Sequence, residues 1–137
     1  MSATFKCSAI AGGSASGPAL VSDEPICFYL VEPDTGIVIE EGHVLKGKTL
    51  AGTVLVAHAG KGSSVVQMDG LYKIAARHKG PVAVILRNPD PVFVSALLVM
   101  EISSVYDVDE KFYDFIAGRD GIHISVDASG GLITVEE

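Results

Sequence analysis

Lys61, Ser63 and Ser64 are the residues whose types and spacing suit chemistry, set among Gly60 and Gly62 directly after the run Val54-Leu55-Val56-Ala57. The two glycines allow backbone torsions and close approaches that a Cβ resists, so the turn can hug a ligand. Val65, Met68, Leu71, Tyr72 and Ala75 recur near helical spacing. Ser63 and Ser64 therefore fall at the N-cap or first turn of a helix, where unpaired N–H groups and the helix dipole favour anions. A hydroxyl there can bind a substrate oxygen or, if activated, take a proton. The same residues also read as a plain strand-to-helix turn with a serine cap. A nucleotide P-loop is excluded. That pattern needs glycine five places before the Gly60-Lys61 pair, where Leu55 stands, and Ser or Thr after Lys61, where Gly62 stands.

A chain of 137 residues, 48% hydrophobic and 20% charged, is sized for one domain spanning 1–137 with a substantial core. The formal charge of −7 argues against a sequence-independent nucleic-acid partner, which needs a basic face. The longest apolar stretch, Val92 to Met100, is about half of a bilayer span, and the N-terminus has no leader pattern, so no membrane association and a cytoplasmic setting are expected. Cys7 and Cys27 have no Cys or His at ligand spacing. No metal site is expected in this chain, and both cysteines read as small hydrophobes.

Around the serine turn the sequence predicts mostly short strands. Thr4–Ile10 is strand-like, Ala11–Gly17 is rich in glycine and serine, and Ile26–Val31 is a second apolar segment. Pro33 to Gly36 signals a turn before Ile37–Ile39. After a helix from about Val65 to His78, Gly80-Pro81 breaks the pattern and Val82–Leu86 reads as a strand buried on both faces. Strand, helix, strand implies a right-handed parallel crossover. Arg87 to Pro91 is then a loop at the same strand edge as the serine turn, and Val92–Met100 is helix or strand by periodicity. A short helix over Asp109–Ile116, a strand over Ile122–Val126, a turn at Ser129-Gly130-Gly131 and a strand over Leu132–Val135 complete the chain. The fold class is mixed α/β, with one parallel unit among antiparallel hairpins. Ligands in such sheets gather beyond the carboxyl ends of the parallel strands.

Arg87 has two readings at that edge, a bidentate clamp for an anion or a surface cation paired with Asp90. Lys61 suits neutralising a phosphate or carboxylate, or simple solvation. Isolated histidines such as His43 and His58 are more often structural than catalytic. Asp107, Asp109 and Glu110 are placed for helix capping.

The run Gly47-Lys48-Thr49-Leu50-Ala51-Gly52-Thr53-Val54, the Gly60-to-Ser64 turn and the strand ending in Leu86-Arg87 before Asp90-Pro91 resemble the small swivel subunit of the aconitase X family. Gly13 to Gly17, Asp34-Thr35-Gly36, His43 with Leu45 and Gly47, Gly118 to Gly121 and Asp127 to Val135 extend the resemblance across nearly the whole chain. It implies a swivelling β/β/α domain similar to the mobile last domain of aconitase. It further implies a heterodimer with a large subunit that holds a 4Fe-4S cluster, and a small anionic substrate. The activity implied is hydro-lyase: (R)-5-phosphomevalonate losing water to give trans-anhydromevalonate 5-phosphate, or in a relative the dehydration of cis-3-hydroxyproline. By the same resemblance Ser63 is the proton acceptor, with Ser64 and the turn amides, Gly62 among them, binding substrate oxygens; Lys61 and Arg87 join them as substrate-binding candidates on their own chemistry. The chain departs from the family's pattern at Cys27–Val31, where a Gly-Gly pair is usual, at Val66–Gly70, and at Ser95, Ala96 and Ser103. A swivel-like protein that binds a partner or metabolite without turnover is the competing expectation.

Overall fold

The computed structural model describes residues 2–137. Its strands are β1 (Ser2–Lys6), β2 (Ser8–Ala11), β3 (Ser14–Ser22), β4 (Val54–Ala57), β5 (Ala83–Leu86), β6 (Ser103–Tyr106), β7 (His123–Asp127) and β8 (Leu132–Glu136). The helices are α1 (Ser64–Ala76), α2 (Pro91–Val99) and α3 (Glu110–Ile116), with a single 3-10 turn at Phe28–Leu30. The strands form one eight-stranded sheet in the order β1-β8-β7-β3-β4-β5-β6-β2. Only Cys7 separates β1 from β2, which lie at opposite ends of that order, so the chain passes from one edge strand to the other at this corner.

The predicted strand-helix-strand crossover is present, and β4 and β5 pair in parallel. The parallel part is larger than the single unit expected, because β3 also runs parallel to β4 and β6 parallel to β5. β3 occupies a segment that reads in part as a glycine-and-serine loop. One of its small residues is required: a Cβ on Gly17 would lie 2.5 Å from the Gly52 carbonyl oxygen. β3 pairs with β7 over Ser14 to Pro18 and with β4 over Ala19 to Ser22. Pro18 therefore falls at the change of partner, where a missing N–H costs the ladder least. The strand expected over Thr4–Ile10 is broken at Cys7 into two. The apolar segment Ile26–Val31 is a 3-10 turn flanked by isolated bridges rather than a strand, and Val92–Met100 resolves as helix α2.

Two cores follow from strand alternation. Val54, Val56, Ala83 and Ile85 point between the two halves of the sheet, joining Ile124, Val126, Ile133, Val135 and the α3 residues Phe112 and Ile116. Leu55, Ala57, Val84 and Leu86 point the other way, onto Leu71 and Ile74 of α1 and Phe93, Ala96 and Leu97 of α2. The result is three layers, β/β/α, with β4 and β5 buried on both faces. The excursion between β3 and β4 adds Phe28, Val31, Val38, Leu45 and Leu50 to the helix-side core.

Gly70 sets how closely α1 packs on the 3-10 turn. A Cβ there would lie 2.8 Å from Phe28 Cβ and 2.9 Å from the Phe28 carbonyl carbon, so α1 and the 3-10 turn touch backbone to backbone. Gly to Ala within a helix ordinarily gains up to about 1 kcal/mol, whereas overpacking against a backbone costs about 1–3 kcal/mol. The clash wins: Gly70→Ala is expected to lower stability by about 1–2 kcal/mol, read as a reduced urea midpoint at unchanged slope.

Candidate functional site

Beyond β4 the chain makes a short parallel bridge before the helix begins, Gly60 lying beside Ile26. The Ile26 N–H donates to the Ala59 carbonyl at 3.0 Å, and the Lys61 N–H donates to the Ile26 carbonyl at 3.0 Å. Gly62 then turns with φ +101°, a conformation that glycine adopts without strain. Ser63 is the N-cap of α1, extended at φ −68° and ψ 172°, with its Oγ accepting from the Val66 N–H at 3.3 Å. The Gln67 N–H donates to the Ser63 carbonyl at 3.0 Å. The amides of Ser64 and Val65 have no protein partner among the described residues, so the helix presents two N–H groups beside the serine pair. Such a terminus stabilises negative charge.

Three neighbours shape this turn. Lys61 Nζ sits 2.6 Å from Glu40 Oε2, and that hydrogen bond is the main reason its pKa is raised. The lysine therefore stays cationic throughout the physiological range, held on a partly buried carboxylate. Gln67 is 4% exposed, donates Nε2–H to the Gly62 carbonyl at 3.2 Å, and leaves its Oε1 without a protein partner. His43, 6% exposed, lies between the Leu45 amide and the Pro25 carbonyl. Sequence reasoning misses Glu40 and Gln67: Glu40 lies 21 residues before its lysine, and Gln67 reads as an ordinary helix position.

Lys61, Gly62, Ser63 and Ser64 are thus brought together, while Arg87 belongs to a neighbouring feature. It follows β5 and lines a cleft of about 490 Å³ at the carboxyl ends of β3, β4 and β5, with Ser22, Asp23, His58, Tyr113 and Asp114 also on the wall. The serine turn is not part of that wall. Arg87 does not pair with Asp90. Its Nη2 lies 3.0 Å from Glu110 Oε1 and its guanidinium stacks on the Tyr113 ring at 4.3 Å. Asp90 is committed elsewhere, capping α2 through the Phe93 N–H at 2.9 Å. Asp109 caps α3 as its spacing suggests. His58 accepts at its carbonyl from Asn88 Nδ2 at 3.0 Å and contributes to the cleft wall.

Burial pushes the Tyr113 phenol up to about 12, and its Oη has no protein partner. A phenol whose folded-state pKa exceeds its unfolded value gives stability that is intact below about pH 10 and is lost as pH rises toward 12. Tyr113→Phe is expected to fold with near-unchanged stability at pH 7 and to flatten the decline above about pH 10. Chemical denaturation across that pH range reads both.

Cys7 lies at the β1–β2 corner, its thiol pushed up by burial and then by nearby Asp127, whereas Cys27 lies in the neighbourhood of Lys61. Among the described residues no group of three or more His, Cys, Asp or Glu side chains could hold a metal ion. No helix among them is long and apolar enough to cross a membrane.

Comparison with known proteins places this geometry in a family. The model of the aconitase X swivel domain matches residues 4–135. The phosphomevalonate dehydratase small subunit of Methanothrix thermoacetophila is 35% identical over 134 residues, 97% of this chain and 95% of that one. That of Methanosarcina mazei is 37% identical over 130 residues, covering 94% and 88%. The crystal structure of Thermococcus kodakaraensis aconitase X in its holo-form superposes with a TM-score of 0.86 at 30% identity, over 98% of this chain and 99% of that one. With sequence and fold alike over nearly its full length, the chain belongs to the aconitase X swivel domain family.

Proposed function

We propose that this chain is the small subunit of a heterodimeric hydro-lyase that removes water from (R)-5-phosphomevalonate to give trans-anhydromevalonate 5-phosphate. One observation carries the reading. Ser63 caps a helix whose next two amides are unclaimed, beside a fixed lysine, in a chain similar over nearly its full length to small subunits of phosphomevalonate dehydratase.

In the reaction the C2–H and C3–O bonds break and a C2–C3 double bond forms. Ser63 reacts as its alkoxide, its hydroxyl proton having left to solvent; it accepts the C2 proton and returns to the hydroxyl, while the C3 oxygen departs as hydroxide and takes up a proton to become water. The alkoxide is costly in water, and the helix N-terminus and the Lys61 ammonium both lower the cost of negative charge on the serine oxygen. Those effects grow when water is excluded, which closure of the large subunit over the turn supplies. Ser64, the Gly62 backbone and Lys61 hold the substrate's anionic oxygens. Arg87 joins them from the adjacent cleft by exchanging Glu110 for a substrate carboxylate or phosphate, a bidentate geometry suited to guanidinium. Among the described residues no group of His, Cys, Asp or Glu fits a 4Fe-4S cluster, so in this reading the cluster is held by the large subunit.

Lys61→Ala is expected to raise KM for the substrate roughly tenfold, because the ammonium holds the substrate's anionic oxygens, and to lower kcat roughly tenfold as well, because it also eases negative charge on the Ser63 oxygen. The substrate is tested by presenting the reconstituted heterodimer with (R)-5-phosphomevalonate and cis-3-hydroxyproline side by side. The phosphorylated acid should be dehydrated with much the higher kcat/KM. Preference for the hydroxyproline would replace the substrate and keep the mechanism, and binding without turnover of either would leave a partner- or metabolite-binding swivel protein.

A further inference from the structure

We infer that His43 is a positioning residue for the Ser63 turn, acting through a strap formed by Pro25 and Ile26; the inference rests on the function proposed above. The ring is almost wholly buried and makes two hydrogen bonds that only one neutral tautomer satisfies. The Leu45 N–H can only donate, and it lies 3.0 Å from Nδ1. Nδ1 therefore accepts, and Nε2 carries the proton and donates to the Pro25 carbonyl at 3.0 Å. Ile26, the next residue, accepts from the Lys61 N–H and donates to the Ala59 carbonyl, gripping the turn on both sides of Gly60. Gly62 and Ser63 follow directly. The segment that carries His43 is itself fixed, because Val38, Leu45 and Leu50 are buried in the helix-side core. A path of short hydrogen bonds thus runs from the core through the imidazole and the strap to the backbone of Lys61.

Glu40 supplies a second link from the same segment, holding the Lys61 side chain while His43 holds its backbone neighbour. The pairing has a functional consequence. A reacting serine must be held to a fraction of an ångström, and misplacement by about 1 Å can cost roughly a hundredfold in rate. The excursion between β3 and β4 is therefore a brace for the catalytic turn, and the imidazole is its connecting piece.

The two bonds can be separated. In His43→Gln the amide nitrogen stands where Nε2 stood, keeping the donor to Pro25 and losing the acceptor for Leu45. In His43→Asn the amide oxygen stands where Nδ1 stood, keeping Leu45 and losing Pro25. A side chain that serves stability alone predicts similar behaviour of the two variants, since each loses one buried bond. Positioning predicts a difference. Amide hydrogen exchange at Ile26 and Lys61 in the isolated chain should be roughly tenfold faster in His43→Asn than in His43→Gln, at matched global stability. In the reconstituted heterodimer, kcat of His43→Asn should fall about tenfold below that of His43→Gln while KM differs less.

Equal exchange in the two variants, or unequal exchange with equal kcat, would overturn the inference. The exchange measurement needs no partner, so failure of the proposed reaction, seen as no turnover by the unsubstituted heterodimer, is distinguishable from failure of the brace. If neither variant folds, nitrogen-15 shifts of the unsubstituted His43 ring decide. An Nε2–H tautomer agrees, and an Nδ1–H tautomer contradicts the path.

Discussion

Ser63→Ala should leave the heterodimer assembled and reduce kcat by about 10²–10⁴-fold, the usual contribution of a positioned general base. The same substitution removes the N-cap of α1, whose Oγ now satisfies the Val66 amide. Loss of a serine cap costs about 1 kcal/mol, so an activity loss alone would be ambiguous. Ser63→Gly separates the effects. Glycine is tolerated at the cap with a loss of only a few tenths of a kcal/mol, yet it has no oxygen to accept a proton. Both variants should therefore be equally inactive while differing in thermal stability. Activity tracking stability instead, with Ser63→Gly near the unsubstituted rate, would assign Ser63 to capping alone.

Phe93→Ala should produce the largest loss of stability. Phe93 is fully buried where α2 meets the sheet and the turn at Phe28–Leu30. Its ring stands edge-on to Phe28 at a centroid separation of 5.3 Å, and a Cβ on Gly60 would lie 3.0 Å from it. Truncating a buried phenylalanine costs about 3–5 kcal/mol through lost transfer energy and the cavity left behind. That is a large part of the roughly 5–15 kcal/mol by which native domains are stable, and corresponds to a fall in Tm of roughly 10 °C or more. Because the cavity opens beneath Gly60, the exchange protection of the Lys61 amide should fall beyond the global loss. A Tm within about 3 °C of the unsubstituted protein would contradict this account of the helix-side core.

The serine turn was legible in the sequence because its signals are local: β-branched strand, glycines, hydroxyl cap, helical period. Even the absence of a P-loop could be read by counting positions. What lay hidden was set by partners distant along the chain. Nothing near Lys61 in sequence announces Glu40, and Arg87 pairs with Glu110 instead of with Asp90, whose Oδ1 caps α2. β3 was obscured by its small side chains, of which Gly17 is required by the close approach of Gly52, so a strand nine residues long carries the composition of a loop. α2 has no polar face to show a helical period, since it is apolar nearly throughout and covers a core. The extension of the parallel sheet to β6 depended on Ser103–Tyr106, which is no shorter than β4 or β5 but too polar to stand out as they do. Gly70 reads in sequence as a weak point of a helix, and only the fold shows its use, which is to let α1 lie directly on Phe28.

The most direct test of the central claim is the rate of water loss from (R)-5-phosphomevalonate, measured anaerobically for this chain alone, for its cluster-loaded large subunit alone, and for the two together. The account predicts turnover only in the mixture. A stable complex with an intact cluster that forms no trans-anhydromevalonate 5-phosphate would contradict it.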